Sequence, residues 1–142
     1  MNDVVVTESH GGYAQQIEAG HHVFAADESV GSGGTDTGPD PYALLLAALG
    51  ACTSMTLRMY AARKQWPLEG ITVRLRHRRD YRKDCENCEM PESRIERIER
   101  EISLRGPLSD EQKKRLLEIA DRCPVHRTLA NPKEIVTKLV AS

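Results

Sequence analysis

The stretch Gly38-Pro39-Asp40-Pro41-Tyr42-Ala43-Leu44-Leu45-Leu46-Ala47-Ala48-Leu49-Gly50-Ala51-Cys52-Thr53 decides how this chain folds. From Tyr42 to Cys52 every side chain is apolar or small, and no polar face interrupts the run. A helix apolar on all sides has to be surrounded by protein, so the segment predicts a buried central helix. Pro39 and Pro41 close the preceding loop and open the helix. Polar character returns at Thr53, Arg58, Arg63, Lys64 and Gln65, and Pro67 ends it. Gly50 costs about 1 kcal/mol relative to Ala in a helix interior, which points to close approach of another backbone there.

Toward the N-terminus the pattern switches to period two. Val4 to Val6 form a short β-branched run, Gly11-Gly12 marks a turn, and Tyr13, Gln15 and Ile17 alternate as far as Gly20. His22, Phe24 and Ala26 continue as a second hairpin arm. Ser29 to Asp40, rich in glycine and small polar residues, reads as a loop.

Toward the C-terminus, Ile71, Val73 and Leu75 alternate with Thr72, Arg74 and Arg76 and predict a half-buried strand. Asp80 to Ser93 is polar and turn-like. Arg94 to Arg105 fits two periods: Ile95, Ile98 and Ile102 suit a helix, whereas Ile98, Ile102 and Leu104 share strand parity. The neighbouring elements and Gly106-Pro107 favour a strand, with room for a bulge. Ser109-Asp110-Glu111-Gln112 is a capping box, and Leu116, Leu117 and Ala120 supply the inner face of the helix it starts. Cys123-Pro124 breaks that helix and opens a shorter one, because proline suits the first helical position. Asn131-Pro132 ends it, and Ile135, Val136, Leu139 and Val140 predict a last strand.

A chain of 142 residues fits a single domain spanning 1–142. Aromatic residues make up only 4 %, so aliphatic side chains must fill the interior, a composition that favours further burial against a partner subunit. The net charge of −1 supplies no field for nucleic acid or an anionic membrane. The basic run Arg74, Arg76, His77, Arg78, Arg79, Arg82 and Lys83 is followed by the Glu-rich segment Glu86 to Glu101, so a solvated strand face pairing with those acids is expected. Met1 to Gly12 has neither the basic start nor the apolar stretch of a signal peptide. Tyr42 to Cys52 is about half the length that crosses a bilayer. A cytoplasmic protein with no membrane and no nucleic-acid partner is expected. The sequence contains no G-x-S-x-G, P-loop or H-E-x-x-H, so serine hydrolysis and nucleotide chemistry have no foothold.

Four cysteines in such a chain point to reactive, metal-binding or plain buried thiols rather than structural disulfides. Cys123 stands at a helix N-cap, where unpaired N–H groups and the helix dipole favour a thiolate. His126, three residues on, is placed to donate to the same sulfur. The same residues also fit a small apolar cap beside a solvent-facing imidazole. Cys52, in the apolar helix, reads from position alone as a buried thiol. Cys85 and Cys88 form one C-x-x-C, half a zinc site, with no second pair to complete it and with acidic neighbours Asp84, Glu86 and Glu89. They are weak metal candidates, and no metal is expected.

Gly38 to Thr53 resembles the central-helix motif of the OsmC/Ohr family, and Ala120-Asp121-Arg122-Cys123-Pro124-Val125-His126-Arg127-Thr128-Leu129 resembles its second cysteine motif. The order of strands, Gly-rich loop, long helix, strands, capped helix and Cys-Pro helix is also similar, over nearly the whole chain. The resemblance is to the OsmC-like branch that also occurs attached to α/β-hydrolase-like partners. It implies an α+β fold, an intertwined homodimer with two antiparallel sheets around central helices. It also implies a peroxiredoxin-like antioxidant activity of the stress response that needs no cofactor. Cys52 would be the peroxidatic nucleophile that attacks an organic hydroperoxide and becomes a sulfenic acid. Cys123 would resolve it to a disulfide, recycled by an external dithiol such as a lipoyl-protein.

Position favours Cys123 as the low-pKa thiol, whereas the resemblance gives first attack to Cys52. The chain also departs from the family pattern. Family peroxidases place a Glu at the opening of the central helix to tie down an Arg beside the peroxidatic thiolate. Here Tyr42 and Ala43 stand at that opening, and no Arg precedes Arg58. Tyr42 and His126 are the supporting candidates, with His10, His21, His22 or an Arg from Arg74 to Arg79 as stand-in cations. The alternative function is a catalytically weak accessory module that binds a small apolar ligand.

Overall fold

The computed structural model describes residues 3–81 and 94–141. Two compact units divide the chain, Met1–Ala47 and Ala48–Ser142. The architecture is mixed α+β, with two antiparallel sheets and three α-helices.

In the first unit β1 (Val4–Glu8), β2 (Gln15–Ala19) and β3 (His22–Ala26) form an antiparallel meander in the order β1-β2-β3. Gly20, at φ 63°, occupies the first position of the two-residue turn between the paired Ala19 and His22, where a side chain would be strained. The loop after β3 is organised by a residue the sequence pattern did not single out. Asp27 is buried, and its Oδ1 accepts from the Glu28 N–H at 2.7 Å. Its Oδ2 accepts from the Thr35 N–H and hydroxyl at 3.2 and 2.6 Å and from the Thr37 N–H and hydroxyl at 3.2 and 2.8 Å. These bonds, those from Thr35 foremost and then Thr37, hold its carboxyl well below the usual carboxylate range. A Cβ on Gly34 would stand 2.1 Å from the Glu28 carbonyl oxygen, so only glycine lets the loop close on the carboxylate.

The long helix α1 (Pro41–Lys64) starts at Asp40, whose Oδ1 accepts from the Ala43 N–H at 2.7 Å, with Pro41 as first helical residue. It stops three residues before Pro67. Gln65 takes the left-handed conformation at φ 58°, its N–H donates to the Ala62 carbonyl, and the Trp66 N–H donates to the Ala61 carbonyl. That is a Schellman closure with Gln in the glycine position. By length and composition α1 could cross a bilayer, although Tyr42 to Cys52 alone fell short; a core helix has the same properties. The expectation of a helix buried on all sides does not hold within one chain. Leu49, Gly50, Thr53, Leu57, Tyr60 and Ala61 are buried, but Ala51, Met55 and Met59 are exposed.

In the second unit β4 (Gly70–Tyr81) and β5 (Arg94–Arg105) pair antiparallel without interruption, from Gly70 opposite Arg105 to Tyr81 opposite Arg94. The strand reading of β5 is therefore right, and the predicted bulge is absent from the paired residues. One face carries Ile71, Val73, Leu75 and His77 opposite Leu104, Ile102, Arg100 and Ile98. The other presents Arg74, Arg76 and Arg78 to solvent, where Arg76 pairs with Glu101 at 3.5 Å and Arg78 with Glu99 at 2.8 Å, while Arg79, which shares the parity of His77, pairs with Glu96 at 3.6 Å. Of the predicted turn Asp80 to Ser93, Asp80 and Tyr81 continue β4 instead, and the rest, with Cys85 and Cys88, lies outside the described residues.

α2 (Asp110–Ala120) begins with the complete capping box: Ser109 Oγ accepts from the Gln112 N–H, and Gln112 Oε1 accepts from the Ser109 N–H. Its inner face is Leu116, Ile119 and Ala120, while Leu117, assigned inward from the sequence, is 60 % exposed. Positions 116, 119 and 120 follow the i, i+3, i+4 rule, and 117 falls beside that stripe. These residues pack with Leu57, Tyr60, Ala61, Leu68 and Leu108 as the core of this unit, closed over by Trp66, Ile71, Ile102 and Leu104. α3 (Pro124–Ala130) follows at once. Residues 132–140 hold no regular structure, in place of the predicted last strand, and Ile135, Val136, Leu139 and Val140 are 73–100 % exposed. A strand exists only through its pairing, and among the described residues this segment has none.

Candidate active site

Cys123 is the N-cap of α3 with Pro124 behind it, the arrangement the Cys-Pro pair predicts. Its side chain is fully buried, 0 % exposed. Cys52, on the fourth turn of α1, is half-buried, and both are free thiols. The helices bring the two thiols close enough for each to shift the acidity of the other. The Val125 N–H, in the first turn of α3, reaches both sulfurs. The Thr56 hydroxyl, one turn along α1, adds a bond to Cys52. The His126 N–H and the Thr53 hydroxyl reach Cys123.

These contacts separate the two thiols. Burial and the hydrogen bond with Cys123 push Cys52 up. Burial also pushes Cys123 up, but bonds from Cys52, the His126 and Val125 N–H groups and Thr53 outweigh it and bring Cys123 below its ordinary value. Thus Cys123 is the more acidic thiol of the two. Such a pair titrates as a unit, losing one proton early and the second late.

Arg100, which the sequence pattern did not single out, ties α1 to the segment from Asp121 to His126 that carries Cys123. It stands on the inner face of β5, directly opposite Leu75, and its side chain is only 12 % exposed. Its Nη1 donates to Thr53 Oγ1 at 3.1 Å, and its Nη2 to Asp121 Oδ1 at 2.9 Å. Nη2 also lies 3.1 Å from His126 Nδ1. A guanidinium only donates, so in this contact His126 Nδ1 is the acceptor. The predicted donation from the His126 ring to Cys123 is replaced by donation from the His126 backbone. Gly50 has a part in this placement: a Cβ there would stand 2.7 Å from Leu75 Cδ1, so the glycine admits a side chain rather than the expected backbone. With Leu75 seated on α1, its cross-strand neighbour Arg100 is at the level of Thr53.

Arg74, Arg76, Arg78 and Arg79 are exposed, and His10, His21 and His22 belong to the first unit, as does the exposed Tyr42. A signal for Arg100 was present in strand parity: it shares a face with Ile98, Ile102 and Leu104, and a charge at an apolar position needs a buried partner. Beside Arg100 opens a cleft of about 360 Å³, lined by Leu49, Ile98, Ile102, Leu117 and Leu129 together with Asp121 and His126. Among the described residues no cluster of three or more His, Cys, Asp or Glu could hold a metal ion.

A sequence model of the OsmC-like protein family matches residues 34–138. No curated protein matches the sequence. Among solved structures, the chain is similar to the OsmC-like protein from Mycoplasma pneumoniae, with TM-score 0.72, 19 % identity, and 92 % of this chain and 87 % of that one covered. It is similar to the organic hydroperoxide resistance protein OsmC from Legionella pneumophila, with TM-score 0.63, 15 % identity and coverage of 89 % and 88 %. A third is an organic hydroperoxide resistance protein from Elizabethkingia anophelis, with TM-score 0.63, 19 % identity and coverage of 90 % and 88 %. At these identities the likeness is one of fold. The family match spans both cysteine motifs and most of the chain, and the chain belongs to the OsmC-like family.

Proposed function

We propose that the protein reduces organic hydroperoxides with the Cys52–Cys123 pair. Cys52, the more accessible thiol, attacks the distal oxygen of ROOH, releasing the alcohol and becoming a sulfenic acid. Cys123 attacks the sulfenic sulfur and expels water, and an external dithiol, a lipoyl-protein being one such, returns the disulfide to two thiols. The observation that carries this is that Cys52 and Cys123, far apart in sequence, lie close enough for each thiol to shift the acidity of the other. The apolar lining of the neighbouring cleft favours a hydroperoxide with a hydrocarbon R group. Names carried by members of the same fold point to hydroperoxide resistance.

The working form in this reading is a cytoplasmic homodimer. Met55 and Met59 on α1 and Ile135, Val136, Leu139 and Val140 near the C-terminus are apolar side chains that a solitary chain leaves in water. The test is consumption of cumene hydroperoxide with dihydrolipoamide as reductant. Wild type is expected to turn over and Cys52→Ser to be inactive. Equal turnover by the two excludes the mechanism. No turnover by either, together with a rise in melting temperature on adding an apolar ligand, favours an accessory binding module.

A further inference from the structure

Building on the proposed function, we propose that the cleft beside Arg100 takes an uncharged amphiphile, a hydrocarbon body ending in a hydroxyl or hydroperoxyl group, and that Asp121 makes it reject the corresponding carboxylate. The wall of the cleft is hydrocarbon: Leu49 from α1, Ile98 and Ile102 from β5, Leu117 from α2 and Leu129 from α3. Leu117, which the α2 core stripe leaves 60 % exposed, has its use in that wall. A volume of about 360 Å³ suits a small branched or aromatic hydrocarbon. The polar end is made by Arg100, Asp121 and His126. These three are already bonded among themselves: Arg100 Nη2 donates to Asp121 Oδ1 at 2.9 Å and to His126 Nδ1 at 3.1 Å.

A lone arginine in an apolar cleft attracts a carboxylate, which its planar fork receives with two parallel bonds. Here the chain supplies that carboxylate itself. The Arg100 side chain is 12 % exposed and that of Asp121 69 %, so the cation is the inner member of the pair and the anion its solvent-facing one. A second carboxylate at this end would face Asp121 as a like charge and find the guanidinium already neutralised. Both count against it where apolar walls limit screening by water. A hydroxyl meets no such repulsion. The bonds to Thr53, Asp121 and His126 use three of a guanidinium's five N–H groups, and the others can donate to its oxygen. The hydrocarbon wall binds the body of either molecule alike, so the choice between them falls to Asp121. It is a specificity-determining residue that works by exclusion.

The experiment is calorimetric titration of the reduced full chain, without peroxide, with para-isopropylbenzyl alcohol and with para-isopropylbenzoate, which share one skeleton and differ in charge. Wild type is expected to bind the alcohol, and to bind the carboxylate at least about tenfold more weakly. Asp121→Asn keeps the size of the side chain and removes its charge. It is expected to bind the carboxylate at least about tenfold more tightly than wild type does, with the alcohol held within about twofold. Glu118→Gln removes an exposed acid that pairs with Arg115 outside the cleft, and should leave the ratio of the two affinities where it is. Wild type that binds both ligands alike, or neither, overturns the proposal. So does an Asp121→Asn variant with the wild-type preference, or a Glu118→Gln variant with an equal gain. If Asp121→Asn does not fold, the wild-type ratio decides. Because no peroxide is present, the two readings fail separately. Equal binding of both ligands by a protein that consumes cumene hydroperoxide removes the selectivity alone. Selective binding by a protein that never consumes peroxide removes the thiol chemistry alone and leaves the cleft as the site of an accessory module.

Discussion

Asp27 and Cys123 are both buried acids, and their surroundings hold them in opposite ways. Asp27 receives five donors from the backbone and hydroxyls of Glu28, Thr35 and Thr37, all belonging to its own loop. Every lone pair that needs a partner has one, so the carboxylate is fixed and has no proton to exchange. Cys123 is also buried, yet among the groups that set its acidity is another acid, Cys52. The first arrangement is a lock and the second a pair of coupled acids. A buried anion surrounded only by fixed donors stabilises a loop; an acid coupled to a second one can react.

The largest effect expected at the reactive acid is from Cys52→Ser, a fall in hydroperoxide turnover on the order of 10³-fold or more, read by peroxide consumption with a dithiol. Cys123→Ser should instead leave one fast oxidation and then stall, with the Cys52 sulfenic acid trapped by dimedone and seen by mass spectrometry.

At the locked acid, Asp27→Asn should lower the melting temperature by several degrees and leave the first thiol midpoint where it is. Its pH dependence has a definite sign. The folded carboxyl titrates below its unfolded value, so its stabilisation is full above about pH 4, the unfolded value, and is lost as pH falls toward the folded one. The gap in melting temperature between wild type and Asp27→Asn should therefore be constant from neutral pH down to mildly acid solution and close only below about pH 4. A gap that instead changes near neutrality contradicts the lock.

The thiol pair should show the reverse of a single titration, one proton lost below the ordinary thiol value near 8.5 and the second above it. Turnover should rise with the first and not with the second, as read from the pH profile at saturating dithiol. The smallest effect belongs to the exposed counterpart of Arg100. Arg76, 57 % exposed in its pair with Glu101, should on replacement by Met shift stability by less than about 0.5 kcal/mol and leave the thiol titration unchanged.

Much of this architecture is legible where local rules act alone. The period-two strands before Ala26, the capping box at Ser109 and the Cys123-Pro124 N-cap each follow from a few adjacent residues. Arg100 was hidden because its partner Thr53 lies far away in sequence and because the parity of β5 was searched for apolar residues only. Asp27 was hidden because its donors Thr35 and Thr37 are eight and ten residues on, across a loop whose path no periodicity describes. Leu117 was misplaced by a single position on a helix face whose stripe is narrow. Ile135 to Val140 failed for another reason: their spacing mixes both strand parities, and pairing is a property of two segments rather than one.

The most direct measurement is peptide mass spectrometry of the reduced protein after one equivalent of cumene hydroperoxide. A Cys52–Cys123 disulfide, formed as the peroxide disappears one for one, is the expected result. Peroxide left intact with both thiols free, or a disulfide that omits either cysteine, would contradict the Cys52–Cys123 pair as the reactive centre.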